Sequence, residues 1–568
     1  MIGSPVSNGD AGAMKLRGIM QKALGAFTGD RAGNFAMLTA LAAVPIMGAA
    51  GLAVDYANTS RIRVELQQAL DAAVLAVAQR GDKISDAEAR EIANAYLTGN
   101  LANAFTDMQV VRNGTAVTLS ARTSVPLAFG GLFGYDKWPV RAASTADMAF
   151  ASYEIALVLD TTGSMQGGKL QAMKDAVIGL IDDLSARVDD RDRLKFALVP
   201  FSSFVNVGPQ FGPRYDSKKR RIIGTGADWL DLDGMSPIPQ IDLVNGVSRF
   251  DVIANLGQEW GGCVETRISS GGKDHAVEDT PPVKNDPASL FVPAFAIDEP
   301  ESSWWNYYSN DYLGYAKSYD DNPLDNSPDA RALRLLKYGL VNQAKAIVGS
   351  KRIKDLPGGN AVVGENGFAA PPFGKDIRGG RGPNRGCYAQ PITPLSNDYE
   401  DLKRKVRSFT AQGNTNIMEG VAWGMRVLSP HPPFTEGKNP ADVRGLEKIM
   451  IVLSDGANVF GNTSNALGST YSSFGYLVDG RLGVKSGNDK LTNQLMNEKT
   501  LQACTNAKEK WGYQIYTIRL EEPDVATGQM LRDCASSPAH YFDTPSRSQL
   551  DAVFKDIRDG ITKLRLSS

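Results

Sequence analysis

Tyr153-Glu-Ile-Ala-Leu-Val-Leu-Asp160-Thr-Thr162-Gly-Ser164 decides the fold of this chain, because an apolar run, Ile155 to Leu159, passes directly into three oxygen donors at alternate positions. A short apolar run closed by a carboxylate suits a central parallel strand whose carboxyl end opens into a binding crevice. Such a turn can hold a hard divalent cation. Mg²⁺ requires six oxygens in a near-octahedral array and usually keeps some waters. One carboxylate and two hydroxyls therefore make a partial cage with an open position.

The other donors must come from distant sequence, since one loop cannot encircle an ion. Glu447-Lys-Ile-Met-Ile-Val-Leu-Ser-Asp455-Gly-Ala reads as a second apolar strand ending in Asp455. Gly413-Asn-Thr415-Asn-Ile opens a helix with a hydroxyl at its N-terminal edge. Asp160, Thr162, Ser164, Thr415 and Asp455 together resemble the metal-ion-dependent adhesion site of von Willebrand factor A domains. The resemblance implies a doubly wound, mostly parallel α/β sheet and bound Mg²⁺, Mn²⁺ or Ca²⁺. It also implies hydroxyls on the metal, aspartates acting partly through water, and a partner protein whose acidic side chain fills the vacant position. Thr162 stands where that family more often has Ser, a change that keeps the hydroxyl.

Asp160-Thr-Thr-Gly-Ser also resembles the aspartyl-phosphate motif of haloacid-dehalogenase-type phosphotransferases, in which Asp160 would be the nucleophile. Thr161 stands where transport ATPases carry Lys, and Asn458 is followed by Val459 in place of a second carboxylate. With those parts missing, no enzyme activity is expected.

The 568 residues suffice for more than one core, and 22% charged with 42% hydrophobic residues is a globular balance. A formal net charge of -2 argues against bulk electrostatic binding of nucleic acid. Three histidines, His275, His431 and His540, all lie in loop or turn contexts and disfavour a His-based zinc site or a Ser-His-Asp triad.

Phe35 to Val54 is an uncharged apolar run of 20 residues, the span of a bilayer core. Lys15, Arg17, Lys22 and Arg31 precede it, whereas Arg61 and Arg63 follow beside Asp55 and Glu65. The positive-inside bias then puts the N-terminus in the cytoplasm of a bacterial inner membrane and the bulk of the chain in the periplasm. Cleavage at Gly48-Ala49-Ala50, or a prepilin-like cut near Gly33, is the competing reading. The run is long for a signal core, and Ala36 to Thr39 lack the carboxylate of pilin-type segments, so an uncleaved single-pass anchor is expected.

Cys263, Cys387, Cys504 and Cys534 allow three pairings and form no close Cys-x-x-Cys motif. An oxidising compartment favours two disulfides. Cys504 lies on the helix before the strand around Tyr516, and Cys534 lies in the segment after it. Right-handed crossovers put both segments on one sheet face, pairing Cys504 with Cys534 and, by elimination, Cys263 with Cys387.

Residues 1-30 read as a cytoplasmic tail and 31-55 as the transmembrane helix. In 56-150, the stripe Ile62, Leu66, Leu70, Ala73 and Val77 predicts a continuing helix. A second helix is expected from Asp86 to about Asn103, capped by Ser85, followed by strands at 108-111, 115-121 and 140-148. This layout, with Arg31-Ala-Gly-Asn-Phe-Ala and Leu66-Gln-Gln-Ala-Leu-Asp71-Ala-Ala, resembles the TadE/TadG-like family of Tad (Flp) pilus-assembly proteins. Joined to a C-terminal A domain over 151-568, the whole chain resembles the TadG-like members of that family. The resemblance implies a membrane-anchored protein that assembles or anchors pili and contacts pilus or envelope components.

Residues 205-394 read as an insertion bounded by Pro- and Gly-rich loops. Trp304, Trp305, Tyr307, Tyr308, Tyr312, Tyr315 and Tyr319 crowd within it, either as a small core or as a stacking platform of an envelope polysaccharide-binding or sensor protein. The loop Arg378-Gly-Gly-Arg381-Gly-Pro-Asn-Arg385 reads as structural. A second excursion, Asn462 to Asp489, leaves the sheet just beyond Asp455 and is expected to overhang the cation site.

Overall fold

The computed structural model describes residues 33–80, 84–113, 116–147, 152–188, 190–300, 307–313, 322–349, 351–356, 380–443 and 445–563. The expected tail 1–30, together with Trp304, Trp305, Tyr315, Tyr319 and Arg378, lies outside the described residues. The chain divides into two compact units, Met1–Phe150 and Ala151–Ser568.

The first unit is built on one helix, α1 (Gly33–Ala78), which carries Pro45 inside it. It is long and apolar enough to cross a membrane once. Leu41, Val44, Ile46 and Met47 are exposed, whereas Ile62, Leu66, Leu70, Ala73 and Val77 are buried. The buried stripe packs with α2 (Asp86–Asn100) and the antiparallel sheet β1 (Phe105–Asn113), β2 (Ala116–Pro126) and β3 (Lys137–Asp147). Ser85 and Glu88 close a reciprocal capping box at the start of α2. That helix stops three residues short of the expected Asn103, because Leu101 is already extended.

In the second unit β4 (Ser152–Asp160), α3 (Gly168–Ser185) and β5 (Leu194–Phe201) follow in order. The long excursion after β5 carries α4 (Arg249–Asn255), α5 (Pro328–Lys337) and α6 (Val341–Val348). The chain returns through β6 (Thr393–Ser396), α7 (Tyr399–Ser408), α8 (Ile417–Val427) and β7 (Leu446–Ser454). It closes with α9 (Asp489–Thr505), β8 (Gln514–Leu520), α10 (Val525–Cys534), β9 (Tyr541–Thr544) and α11 (Leu550–Lys563). The sheet order is β9-β8-β7-β4-β5-β6, parallel throughout except for β6.

The stretch between β5 and β6 runs to Ile392, because Thr393 already starts a strand. Thr393 and Leu395 are buried and alternate with half-buried Pro394 and Ser396. Pro394 is tolerated because β6 is an edge strand.

Alternation along β4 distributes the core. Ile155, Leu157 and Leu159 pack with α3, α7 and α11, and Ala156 and Val158 face α8 on the other side. Every residue of α8 is buried, because α9 and the excursion both pack against it on the side away from the sheet. Phe291 packs over Trp423 at 4.9 Å, and Arg426 donates to the carbonyls of His275 and Ala276. Excursion and sheet thus share one core. Cys263–Cys387 and Cys504–Cys534 are both bonded. The first closes a loop of 124 residues inside the excursion, worth roughly 5 kcal/mol in unfolded-chain entropy.

Gly420 and Gly424, one turn apart, let α8 lie close against the sheet. A Cβ on Gly424 would fall 2.5 Å from Val158 Cγ2, and one on Gly420 2.7 Å from the Phe201 ring. Gly424→Ala is expected to destabilise the second unit by about 1–3 kcal/mol. Gly179→Ala, within α3 and with open space around it, should stabilise by about 0.5–1 kcal/mol. Denaturation midpoints of the two variants moving in the same direction would refute this packing.

Candidate metal centre

The parallel register sets the first contacts. Leu159 pairs with Leu453, which brings Ser454 level with Asp160 on the neighbouring strand. Ser454 Oγ donates to Asp160 Oδ2 at 2.6 Å. Asp160 Oδ1 accepts from the Thr162 amide at 2.9 Å and from Thr162 Oγ1 at 2.6 Å, so the turn after β4 folds back on its own carboxylate.

The 413–416 loop is tied to both strand exits. Gly163 donates its amide to the Gly413 carbonyl, Gln412 to the Thr161 carbonyl, and Val459 to the Thr415 carbonyl. Gly413 has φ +93°, a left-handed conformation that glycine adopts without strain. Asn416 caps α8 through the Glu419 amide, and Asn458 Oδ1 accepts from the Ile417 amide. Thr415 is thereby fixed between β4 and β7.

All five side chains singled out from the sequence meet. Thr162 Oγ1 lies 3.0 Å from Ser164 Oγ and 3.3 Å from Thr415 Oγ1, and Ser164 Oγ donates to Asp455 Oδ1 at 2.6 Å. Asp160, Thr162, Thr415 and Asp455 are buried, and Ser164 is open to solvent. Lys169, in the first turn of α3, pairs with Asp455 Oδ2 at 2.7 Å. Sequence reading passed over Lys169 and Ser454. The signal for Ser454 was its place just before Asp455 on a strand parallel to β4; Lys169 had none beyond its nearness to Ser164.

Burial, followed by the negative charge of Asp455, pushes the Asp160 carboxyl up to about 7, against the opposing bonds from Ser454 and Thr162. Among the described residues no three His, Cys, Asp or Glu side chains gather as a metal cluster. A cation here would depend on the hydroxyls.

The second excursion lies beside the Thr415 loop. Thr470 Oγ1 is 3.5 Å from Asn414 Nδ2, and Asn416 Nδ2 donates to Ser473 Oγ. Its Tyr471 and Arg481 bind Glu265, which also pairs with Arg249, so it is knitted to the larger excursion. Tyr308 and Tyr312 are buried, the latter donating to the Ala296 carbonyl, while Tyr307 is exposed. The described aromatics therefore do not favour the polysaccharide platform. Arg381 donates to the Asp311 carbonyl.

Residues 33–80 match the family model described as Flp pilus-assembly TadE/G-like. No curated protein matches the chain. Structural neighbours include pilus proteins and von Willebrand factor A domains. The pilus adhesin SpaC from Lactobacillus rhamnosus GG is 13% identical with a TM-score of 0.28, the match covering 81% of this chain and 34% of that one. The von Willebrand factor domain of the type V pili tip protein Mfa5 from Porphyromonas gingivalis is 10% identical with a TM-score of 0.30, covering 72% and 95%. The PilB minor pilin from Streptococcus sanguinis is 11% identical with a TM-score of 0.27, covering 81% and 78%. The chain thus spans about a third of the length of SpaC. These are distant likenesses, and the site stands on this chain's own geometry.

A carboxyl raised on folding binds its proton more tightly in the native state, so its contribution to stability is full at low pH and lost as pH rises from about 4 to about 7. In EDTA, Asp160→Asn should therefore raise the melting temperature at about pH 8 and leave it nearly unchanged at about pH 4. Equal effects at both pH values would show that the Asp160 charge carries no such penalty.

Proposed function

We propose that this chain is a membrane-anchored, pilus-associated adhesion or assembly protein without catalytic activity, whose C-terminal unit binds a partner through a divalent cation. One observation carries the cation. With Asp160 ionised, the short contacts to the two carboxylates draw the Thr162 proton to Asp160 and the Ser164 proton to Asp455, and Thr415 Oγ1 lies where it can donate to Thr162. The 3.0 Å contact between Thr162 Oγ1 and Ser164 Oγ then has no proton to share. Two oxygens facing each other without hydrogen are a place for a hard cation. Gly456 adds room, since a Cβ there would start 3.4 Å from Thr415 Oγ1 and 3.5 Å from Ser164 Oγ.

The donors fit Mg²⁺, Mn²⁺ or Ca²⁺: Thr162, Ser164 and Thr415 would supply hydroxyls, and Asp160 and Asp455 negative charge, directly or through water. The bound ion supplies an electrophilic point that a carboxylate from another protein can fill. Open Ser164 keeps that side accessible. A proton on Asp160 and the cation are alternatives, because a protonated Asp160 can donate to Thr162 and free Thr162 to donate to Ser164. The TadE/G-like match over α1 supports pilus or envelope proteins as partners, and two disulfides suit an oxidising periplasm. An inner-membrane anchor with a cytoplasmic N-terminus accords with the charge bias around the apolar run. The phosphotransferase reading gains nothing, since Thr161 Oγ1 is spent on the Phe201 carbonyl and Lys169 on Asp455.

Titration calorimetry with MgCl₂, MnCl₂ and CaCl₂ tests the proposal. Affinity should rise by up to tenfold per pH unit below about pH 7 and level off above it. Asp160→Ala and Thr415→Ala should each weaken binding at least about tenfold with the near-ultraviolet spectrum preserved, and EDTA should release the protein from isolated pili. Lys169→Met should strengthen cation binding by freeing Asp455. Unaltered affinity in folded Asp160→Ala would end the proposal.

A further inference from the structure

We propose that the loop from Leu127 to Asp136 in the first unit, with Trp138 at the start of β3, is an interfacial anchor, resting in the headgroup region of the same bilayer that α1 crosses. The loop joins β2 to β3 and returns to α1 at the end of the apolar run. There Asp55 accepts three backbone amides, from Ala128, Phe129 and Gly130, at 2.8–2.9 Å. Only glycine fits opposite, because a Cβ on Gly51 would fall 2.5 Å from the Phe129 ring. The loop is therefore pinned to α1 at the depth of Gly51 to Asp55.

That depth is fixed by the helix. At about 1.5 Å per residue, the 20 apolar residues from Phe35 to Val54 span about 30 Å, so Asp55 marks the edge of the hydrocarbon. At this edge the loop presents apolar side chains to solvent: Leu132 is 79% exposed, Phe133 56%, Tyr135 61% and Trp138 52%. Tyr56 of α1 is exposed beside them. A cavity of about 760 Å³ between loop and helix is lined by Leu52, Tyr56, Phe133, Tyr135 and Trp138, with Arg63 and Arg141 at its wall. Aromatic rings with polar tips, backed by two arginines, match the chemistry of the interface, where rings sit among headgroups and guanidinium groups meet phosphate. Continuity with the span selects the lipid as occupant: a patch fixed at this depth meets headgroups before any soluble partner.

The sheet supplies an internal control. Lys137 pairs with Pro126 at the loop end, and Asp147 pairs with Ala116 at the opposite end of the 11-residue strand β3. Val111 on β1, 54% exposed, lies near that far end, opposite Thr118. Because all four native cysteines are paired, a single introduced thiol can be labelled in the full-length chain. Leu132→Cys and Val111→Cys, each carrying an environment-sensitive fluorophore, are reconstituted in phosphatidylcholine–phosphatidylglycerol vesicles. The Leu132 probe should shift to the blue and be quenched by lipid nitroxides near the headgroup more than by those near the chain terminus. The Val111 probe should be quenched by aqueous iodide alone. Iodide quenching of the Leu132 probe as strong as at Val111 would overturn the proposal. So would a Leu132 probe shielded from both quenchers, which would assign the surface to a protein, such as a second copy of the chain.

Discussion

A carboxylate buried at the end of a central strand needs compensation, and the architecture around Asp160 follows from that requirement. Its oxygens are taken up by Ser454 on the adjacent strand and by the turn that Thr162 makes back toward it. Lys169 neutralises Asp455 instead, leaving the Asp160 charge without an ion pair of its own. Isolated buried charge is costly, and such a group either keeps its proton or waits for a counter-charge from outside. The raised protonation range of Asp160 is the first response, and affinity for a cation would be the second.

Lys169 occupies an informative position in this balance. Its ammonium holds Asp455 by a partly exposed side chain, an arrangement that water weakens and a divalent ion could outcompete. Asp455 would then turn from an internal ion pair toward the ion, while the backbone of the three loops stays in place. The amide-to-carbonyl bonds linking 161–163 with 412–413, and 459 with 415, favour such a local exchange over a wider rearrangement.

Much of this was legible in the chain because local pattern and tertiary role coincide. The runs before Asp160 and Asp455 are apolar on both faces, as central parallel strands must be, and each leads into a carboxylate at the same edge of the sheet. The Cys504–Cys534 bond followed from crossover handedness, a rule independent of side-chain detail, and Cys263–Cys387 by elimination. Less visible was whatever depends on contacts across the sequence. Thr393 to Ser396 is too short and too rich in Pro to read as a strand until its pairing with β5 is known. Lys169 looks like any solvated lysine at a helix start until Asp455 is brought beside it. The sequence of the excursion lacks period and so does not show what it packs against, whereas Phe291 and the carbonyls of His275 and Ala276 close the core over α8.

That closure connects packing with the proposed chemistry. A helix lying on a sheet normally keeps one polar face in water, but α8 is buried on all sides and carries Glu419, Trp423 and Arg426 inward. Glu419 accepts from the Trp423 indole, and burial raises its protonation range. These polar groups resist sliding, because any shift of α8 would break bonds that no water could replace. Gly420 and Gly424 fix its distance from β4, and the excursion fixes it from above. Thr415, immediately before this helix, therefore inherits a rigid position, and a cation that selected it would meet a hydroxyl already held at the correct side of the crevice. The large excursion, whatever surface it offers to partners, contributes to the site by immobilising the helix beneath it.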